Sequence, residues 1–263
     1  PLLCLHGLTR NARDFAGLAE RYSPGRRVIV PDFRGRGESE YDPLPARYNP
    51  LTYAGDVLQL LDRLQIAEAV FLGTSMGGLV AMTVATIAPD RIAAAILNDI
   101  GPEISPEGLE RIGSYVGKDL RFASWDDAAR AIAANNANAF DRYSHDDWVA
   151  MAKRNCREER GEIRFDYDMA VAWPFTAPAA SRPVDLWPLF GALAAKPLLV
   201  IRGAKSDLLS AATVEKMRAA APNMRTAVVA GVGHAPDLDE PEAIAAIDAF
   251  LASLDAGDLP AAG

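Results

Sequence analysis

The segment "AVFLGTSMGGLVAMTVATIA", residues 69–88, changes character at a single serine. A short apolar run leads into Gly73-Thr74-Ser75-Met76-Gly77, and an apolar run of helical length leaves it. A strand that turns directly into a helix forces its central residue into an unfavourable backbone region, so the residues two positions away must be small. Gly73 and Gly77 meet that need, and Gly78 and Ala81 let the helix lie close to the sheet. The turn pushes the Ser75 hydroxyl out at the carboxyl end of the strands, where open α/β sheets bind ligands. The N–H of Met76 faces the same space, and the helix dipole favours negative charge there. Such a corner suits a nucleophile whose attack creates an oxyanion.

The flanking sequence supports that reading. Short apolar runs at 2–6, 26–32, 93–99, 197–203 and 226–231 are bounded by turn residues and read as buried strands. Between them, Leu51, Ala54, Val57, Leu58, Leu61 and Leu64 recur at three- and four-residue spacing, as on one face of a helix. Residues 241–254 repeat the pattern behind Pro241, a residue favoured at helix starts. Strand and helix in alternation imply crossover connections and a mostly parallel sheet with helices on both faces. The fold class is α/β.

The alternation breaks once, over the roughly ninety residues 101–190. That stretch reads as helical pieces, each opening on a serine able to cap it: "SPEGLERIGSYVG", "SWDDAARAIAANNANAF" and "SHDDWVAMAKRNCREERG". It also holds all four tryptophans, Trp125, Trp148, Trp173 and Trp187. The expected organisation is therefore a core domain of residues 1–100 and 191–263, interrupted by a helical domain of residues 101–190.

Bulk properties exclude several function classes. The net charge is −8 with no Lys/Arg block, which argues against nucleic acid and anionic membrane surfaces as partners. No apolar run approaches the ~20 residues needed to span a bilayer. Two cysteines, Cys4 and Cys156, are too few for a disulfide framework, and no signal peptide is visible at Pro1-Leu2-Leu3-Cys4. A reduced, cytoplasmic setting is expected. The sequence opens on a core strand, as though an N-terminal segment had been lost.

A serine nucleophile needs a base, and there are three histidines. His6 ends the first strand, and His145 reads as an exposed helix-start residue between Ser144 and two acids. His234, in "GVGHAPDLDEP", follows the last strand on a glycine-containing loop and is the favoured base. The base needs an acid to hold its tautomer. Asp207, after the penultimate strand, is favoured because the chain order Ser–Asp–His is then the usual one. Asp99, after the strand at 93–99, is the other acid at a strand end, and either reaches His234. Asp237 and Asp239 lie too close to His234 in sequence to orient it.

Taken together, "LHGLTRN" (5–11), "PDFRGRGES" (31–39), "GTSMGG" (73–78), "RGAKSD" (202–207) and "GVGHAP" (231–236) resemble the α/β-hydrolase fold superfamily, in its cap-bearing, cofactor-free form. The resemblance implies a catalytic triad of Ser75, Asp207 and His234, an oxyanion hole from the N–H groups of Leu8 and Met76, and a cap formed by residues 101–190. It implies no metal and no cofactor. Arg10 reads either as a pocket residue or as a surface charge, and Trp148 and Trp173 as substrate-binding aromatics of the cap. "RGRGES" reads as a structural turn outside the site. Family members usually carry an antiparallel hairpin before the HG strand, and this sequence starts at that strand.

A serine at the elbow acts on acyl carbon, whereas haloalkane dehalogenases and epoxide hydrolases use an aspartate there. Hydrolysis of a small-molecule carboxylic ester or lactone through an acyl-enzyme is therefore expected. Three alternatives stay open. Carbon–carbon bond hydrolases share the triad but often carry a Gly/Pro-rich stretch after HG. Cofactor-free perhydrolases share "GxSMGG" but are nearly capless. A ligand receptor could retain the same constellation without turnover.

Overall fold

The computed structural model describes residues 1–136, 139–177 and 184–258. Strand β1 (Leu2–Leu5) is followed by helix α1 (Ala16–Tyr22), the short β2 (Val28–Ile29), α2 (Pro50–Arg63), β3 (Ala69–Thr74), α3 (Met76–Ile87) and β4 (Ile92–Asn98). The intervening segment carries α4 (Pro106–Tyr115), β5 (Arg121–Phe122), α5 (Trp125–Asn135), α6 (His145–Asn155), β6 (Cys156–Glu159), β7 (Glu162–Phe165) and α7 (Trp173–Thr176). The chain then adds α8 (Trp187–Ala194), β8 (Leu198–Gly203), α9 (Ala211–Ala220), β9 (Arg225–Val229) and α10 (Pro241–Asp255).

Six strands form one parallel sheet in the order β2-β1-β3-β4-β8-β9. Its strands read as continuous apolar runs because both faces are covered. Leu3, Leu5, Phe71, Leu97 and Val200 pack into the core on one face, and Leu2, Cys4, Leu72, Ile96 and Ile201 into the core on the other. Helix α2 starts where Asn49 accepts the Thr52 N–H and Pro50 opens the first turn. No helix among the described residues is long and apolar enough to cross a membrane.

The insertion is not all helical, contrary to the sequence expectation. The stretch read as one helix from Ser144 stops at Asn155, and the chain turns into the antiparallel sheet β5-β7-β6. Arg160 and Gly161, both at positive φ, form the two-residue hairpin turn that pairs Glu159 with Glu162. Ser124 and Ser144 cap α5 and α6 as read, whereas Ser105 makes no side-chain cap to α4. Helix α8 packs on α3 and sends Phe190 into the core. Residues 166–168 dock against the 35–37 turn, with Gly37 N–H donating to Asp166 O at 3.1 Å and Asp168 N–H to Gly35 O at 2.7 Å.

Candidate active site

Between β3 and α3 the backbone turns at Ser75, with φ 53° and ψ −115°. That is an unfavourable region for a residue with a Cβ, and it persists because its surroundings hold it. A Cβ on Gly73 would meet the Gly77 backbone, and one on Gly77 would collide with the Leu5 carbonyl. The Ser75 N–H donates to Asn98 O at 3.0 Å, tying the turn to the end of β4.

His234 lies across from the turn. Its Nε2 is 2.9 Å from Ser75 Oγ, and its Nδ1 is 2.8 Å from Asp99 Oδ2. With Nδ1 protonated, the ring donates to the carboxylate and Nε2 is free to accept the serine proton. Asp99 is fully buried and sits at φ 57°, a conformation that Asp tolerates better than most residues. Its Oδ1 accepts the Gly203 N–H at 2.8 Å, and its Oδ2 also accepts from Ser206 Oγ at 2.5 Å. The loop after β8 thus supplies donors to the acid rather than the acid itself. Asn98 Nδ2 fastens the histidine loop by donating to Pro236 O at 2.8 Å.

With this geometry in place, the sequence profile of the "alpha/beta hydrolase fold" family matches residues 1–241. The chain belongs to that family. It is similar to a 3-hydroxybutyrate-oligomer hydrolase of Cupriavidus necator, at 35% identity over 95% of this chain and 87% of the relative. It is also similar to esterase YbfF of Escherichia coli, at 27% identity over 93% and 89% of the two chains. The crystal structure of an α/β hydrolase from Novosphingobium aromaticivorans superposes with a TM-score of 0.90 at 50% identity, covering 96% of this chain and 89% of that one. The chain is therefore a hydrolase.

The expectation that Asp207 orients the base of this hydrolase is not met. Arg111 of α4 grips the Asp207 carboxylate with Nε and with Nη2, the latter at 2.9 Å. Burial pushes the Asp207 carboxyl up, but the Arg111 hydrogen bonds and charge hold it below its ordinary range. Sequence reading had no means of seeing that partner, because Arg111 lies in the insertion, 96 positions away. A legible hint did exist in Ser206, a hydroxyl donor beside Asp207 that suits a loop serving another acid.

A cavity of about 130 Å³ opens over Ser75 and His234. Leu8 and Arg10 line it from the core, and Ile132, Phe140, Phe165 and Tyr167 from the insertion. Arg10 is thus a cavity residue, held by Asp14 through bonds of 2.6 and 2.8 Å. Burial works against its charge, yet Asp14 and then Asp237 raise its pKa above the ordinary value. Trp148 and Trp173 do not line the cavity. Trp148 packs edge-on against Phe140 and Tyr143 at centroid distances of 5.6 and 4.8 Å, as part of the insertion's own core. Trp173 is 42% exposed at the start of α7. Aromatic count located the right segment but not the inward side chains.

Neither His6 nor His145 approaches Ser75 as a base. His145 is exposed and pairs with Asp126 at 2.6 Å. His6 is fully buried; Nδ1 donates to Gly7 O at 2.8 Å and Nε2 accepts the Phe33 N–H at 3.0 Å. Burial pushes its pKa down from 6.5 to about 3. The unfolded chain therefore binds a proton at His6 below about pH 6.5 that the folded chain refuses until about pH 3. Folding stability is complete above that window and should fall as pH drops through it, by up to about 1.4 kcal/mol per pH unit. Urea denaturation between pH 7 and pH 5 checks this. A midpoint that does not fall would show that His6 is protonated in the native state.

Proposed function

We propose that the protein hydrolyses short carboxylic esters through an acyl-enzyme on Ser75. The observation that carries this reading is the continuous chain of hydrogen bonds from Ser75 Oγ through His234 to buried Asp99, opening into the cavity. Ser75 Oγ attacks the acyl carbon while His234 Nε2 takes its proton, and Asp99 stabilises the imidazolium. The N–H groups of Met76 and Leu8 receive the oxyanion. Met76 is the first residue of α3, so its N–H has no partner within the helix, and Leu8 lines the cavity wall. His234 then protonates the leaving alcohol and activates water for deacylation.

The cavity's size argues for a small acyl group. Its walls mix apolar side chains with Arg10 and Arg111, which suits an ester bearing further oxygen atoms. A hydroxyacid ester, the kind of substrate named for the Cupriavidus necator relative, combines both features. Cys4 and Cys156 are free and buried, with thiols pushed up to about 12 by burial, so neither competes as nucleophile. Unpaired cysteines also accord with a cytoplasmic setting.

A panel of p-nitrophenyl acetate, butyrate, octanoate and laurate, a lactone series and linear 3-hydroxybutyrate dimer tests the proposal. The short esters and the dimer should turn over, and kcat/KM should fall steeply beyond the length the cavity admits. Failure to cleave any ester, with ligand-induced stabilisation instead, would favour a receptor.

A further inference from the structure

Arg36 is among the largest fully buried side chains of the protein. It comes from the "RGRGES" turn, whose sequence reads as structural. The turn is indeed held together locally: Gly35 and Gly37 sit at positive φ, and Asp32 accepts the Glu38 N–H at 3.0 Å. Its guanidinium, however, reaches beyond the turn to Leu8 and Met76. Nε donates to Leu8 O at 2.8 Å, and Nη2 lies 3.7 Å from Met76 Sδ. Nη1 donates to Arg34 O at 2.8 Å and to Tyr53 Oη at 2.7 Å, and the cation lies 5.0 and 5.5 Å from the Tyr53 and Tyr48 ring centroids.

None of these partners carries a full negative charge. Buried cations are normally paired with carboxylates, because an unpaired one forfeits its hydration without Coulombic return. This one is held directly by dipoles and ring faces, with the Asp168 carboxylate set behind Tyr48, whose hydroxyl donates to it at 2.5 Å, and it touches both residues whose N–H groups would hold the oxyanion. We infer that Arg36 is the positioning residue of the oxyanion hole, fixing the Leu8 backbone and supplying positive potential behind the charge that forms in the transition state. The inference rests on the ester-hydrolase reading of Ser75, Leu8 and Met76.

Two effects follow from the geometry. Clamping the Leu8 carbonyl orients the chain beside the Leu8 N–H, and His6 Nδ1 does the same for the carbonyl of the preceding Gly7–Leu8 peptide. A hydrogen bond accepted at that carbonyl strengthens the N–H of the same peptide as a donor. The guanidinium charge, itself fully buried, acts on the developing oxyanion far more than on a neutral ground-state ester. Losing it should therefore lower kcat and spare KM.

The test compares Arg36→Met with Tyr53→Phe. For Arg36→Met, kcat should fall about 100-fold, the lower end of what losing an oxyanion donor costs, with KM little changed. Affinity for an alkyl trifluoromethyl ketone, whose adduct with Ser75 bears an oxyanion, should fall by the same factor. Tyr53→Phe removes one partner of Nη1 but keeps the charge, the ring face and the bond to Leu8 O, so its loss of kcat and ketone affinity should be far smaller than that of Arg36→Met even if its melting temperature drops as much. If Arg36→Met does not fold, Arg36→Lys takes its place; it keeps the charge but not the planar fork and should show a smaller loss in both quantities. Lower stability with unchanged kcat and ketone affinity would reduce Arg36 to a structural clamp and overturn the inference. If the parent enzyme does not bind the ketone, or Ser75→Ala retains its activity, the serine reading itself fails, and the inference with it.

Discussion

Ser75→Ala should lower kcat for short esters by about a millionfold, the scale seen when the nucleophile of a triad is removed. The size follows from the division of labour at the site. Without Oγ there is no acyl-enzyme, and the cavity and oxyanion donors give only the residual acceleration that binding and electrostatics provide. The fold should survive, since alanine keeps the Cβ that the turn at φ 53° already accommodates. Circular dichroism and melting temperature should match the parent. A fluorophosphonate should add to the parent once, at Ser75, and not to the variant. Esterase activity within tenfold of the parent would remove Ser75 from the mechanism, whatever its geometry.

How far this site was legible in the sequence depended on the range of the interactions involved. The elbow was fully legible because its requirements are local: Gly73 and Gly77 are needed by the backbone within two residues of Ser75. The same holds for the six core strands, whose apolar runs recur between amphipathic helices. His234 was legible as the one histidine on a loop after the last strand. The acid was not, because Asp99 and Asp207 both follow strands that end on the same side of the sheet. Long-range packing decides between them: Arg111 of the insertion takes Asp207, and Gly203 and Ser206 of the β8 loop serve Asp99, with Ser206 the one local hint. The β5-β7-β6 sheet was hidden by the charged run Arg157 to Arg160, which reads as a helix surface until Arg160-Gly161 is recognised as a hairpin turn. Arg36 was hidden for the opposite reason. An arginine in a glycine turn is ordinarily solvated, and nothing local says that Leu8 and Met76 lie on the other side.

The two carboxylates make opposite predictions, and the contrast tests the assignment more sharply than either substitution alone. Asp99→Asn should lower kcat by about four orders of magnitude, as the amide replacement does in the best-studied triad. The cause is tautomeric. An amide turned to donate toward Nδ1 forces the proton onto Nε2, and Nε2 then cannot accept from Ser75 Oγ. The loss of negative charge beside the imidazolium adds to it. The variant should still fold, because the asparagine carbonyl can keep the Gly203 N–H that Asp99 Oδ1 accepts at 2.8 Å. Asp207→Asn should change kcat by less than about tenfold. Its carboxylate is about a quarter exposed and bound to Arg111, so the variant loses a partly solvated ion pair worth about 0–1 kcal/mol. Stability should register that loss, while the imidazole keeps its partner. The reverse pattern, with Asp207→Asn crippled and Asp99→Asn near parental, would require the insertion to release Asp207 from Arg111 during turnover and deliver it to His234. The acid would then be chosen by movement of the insertion instead of by the resting geometry.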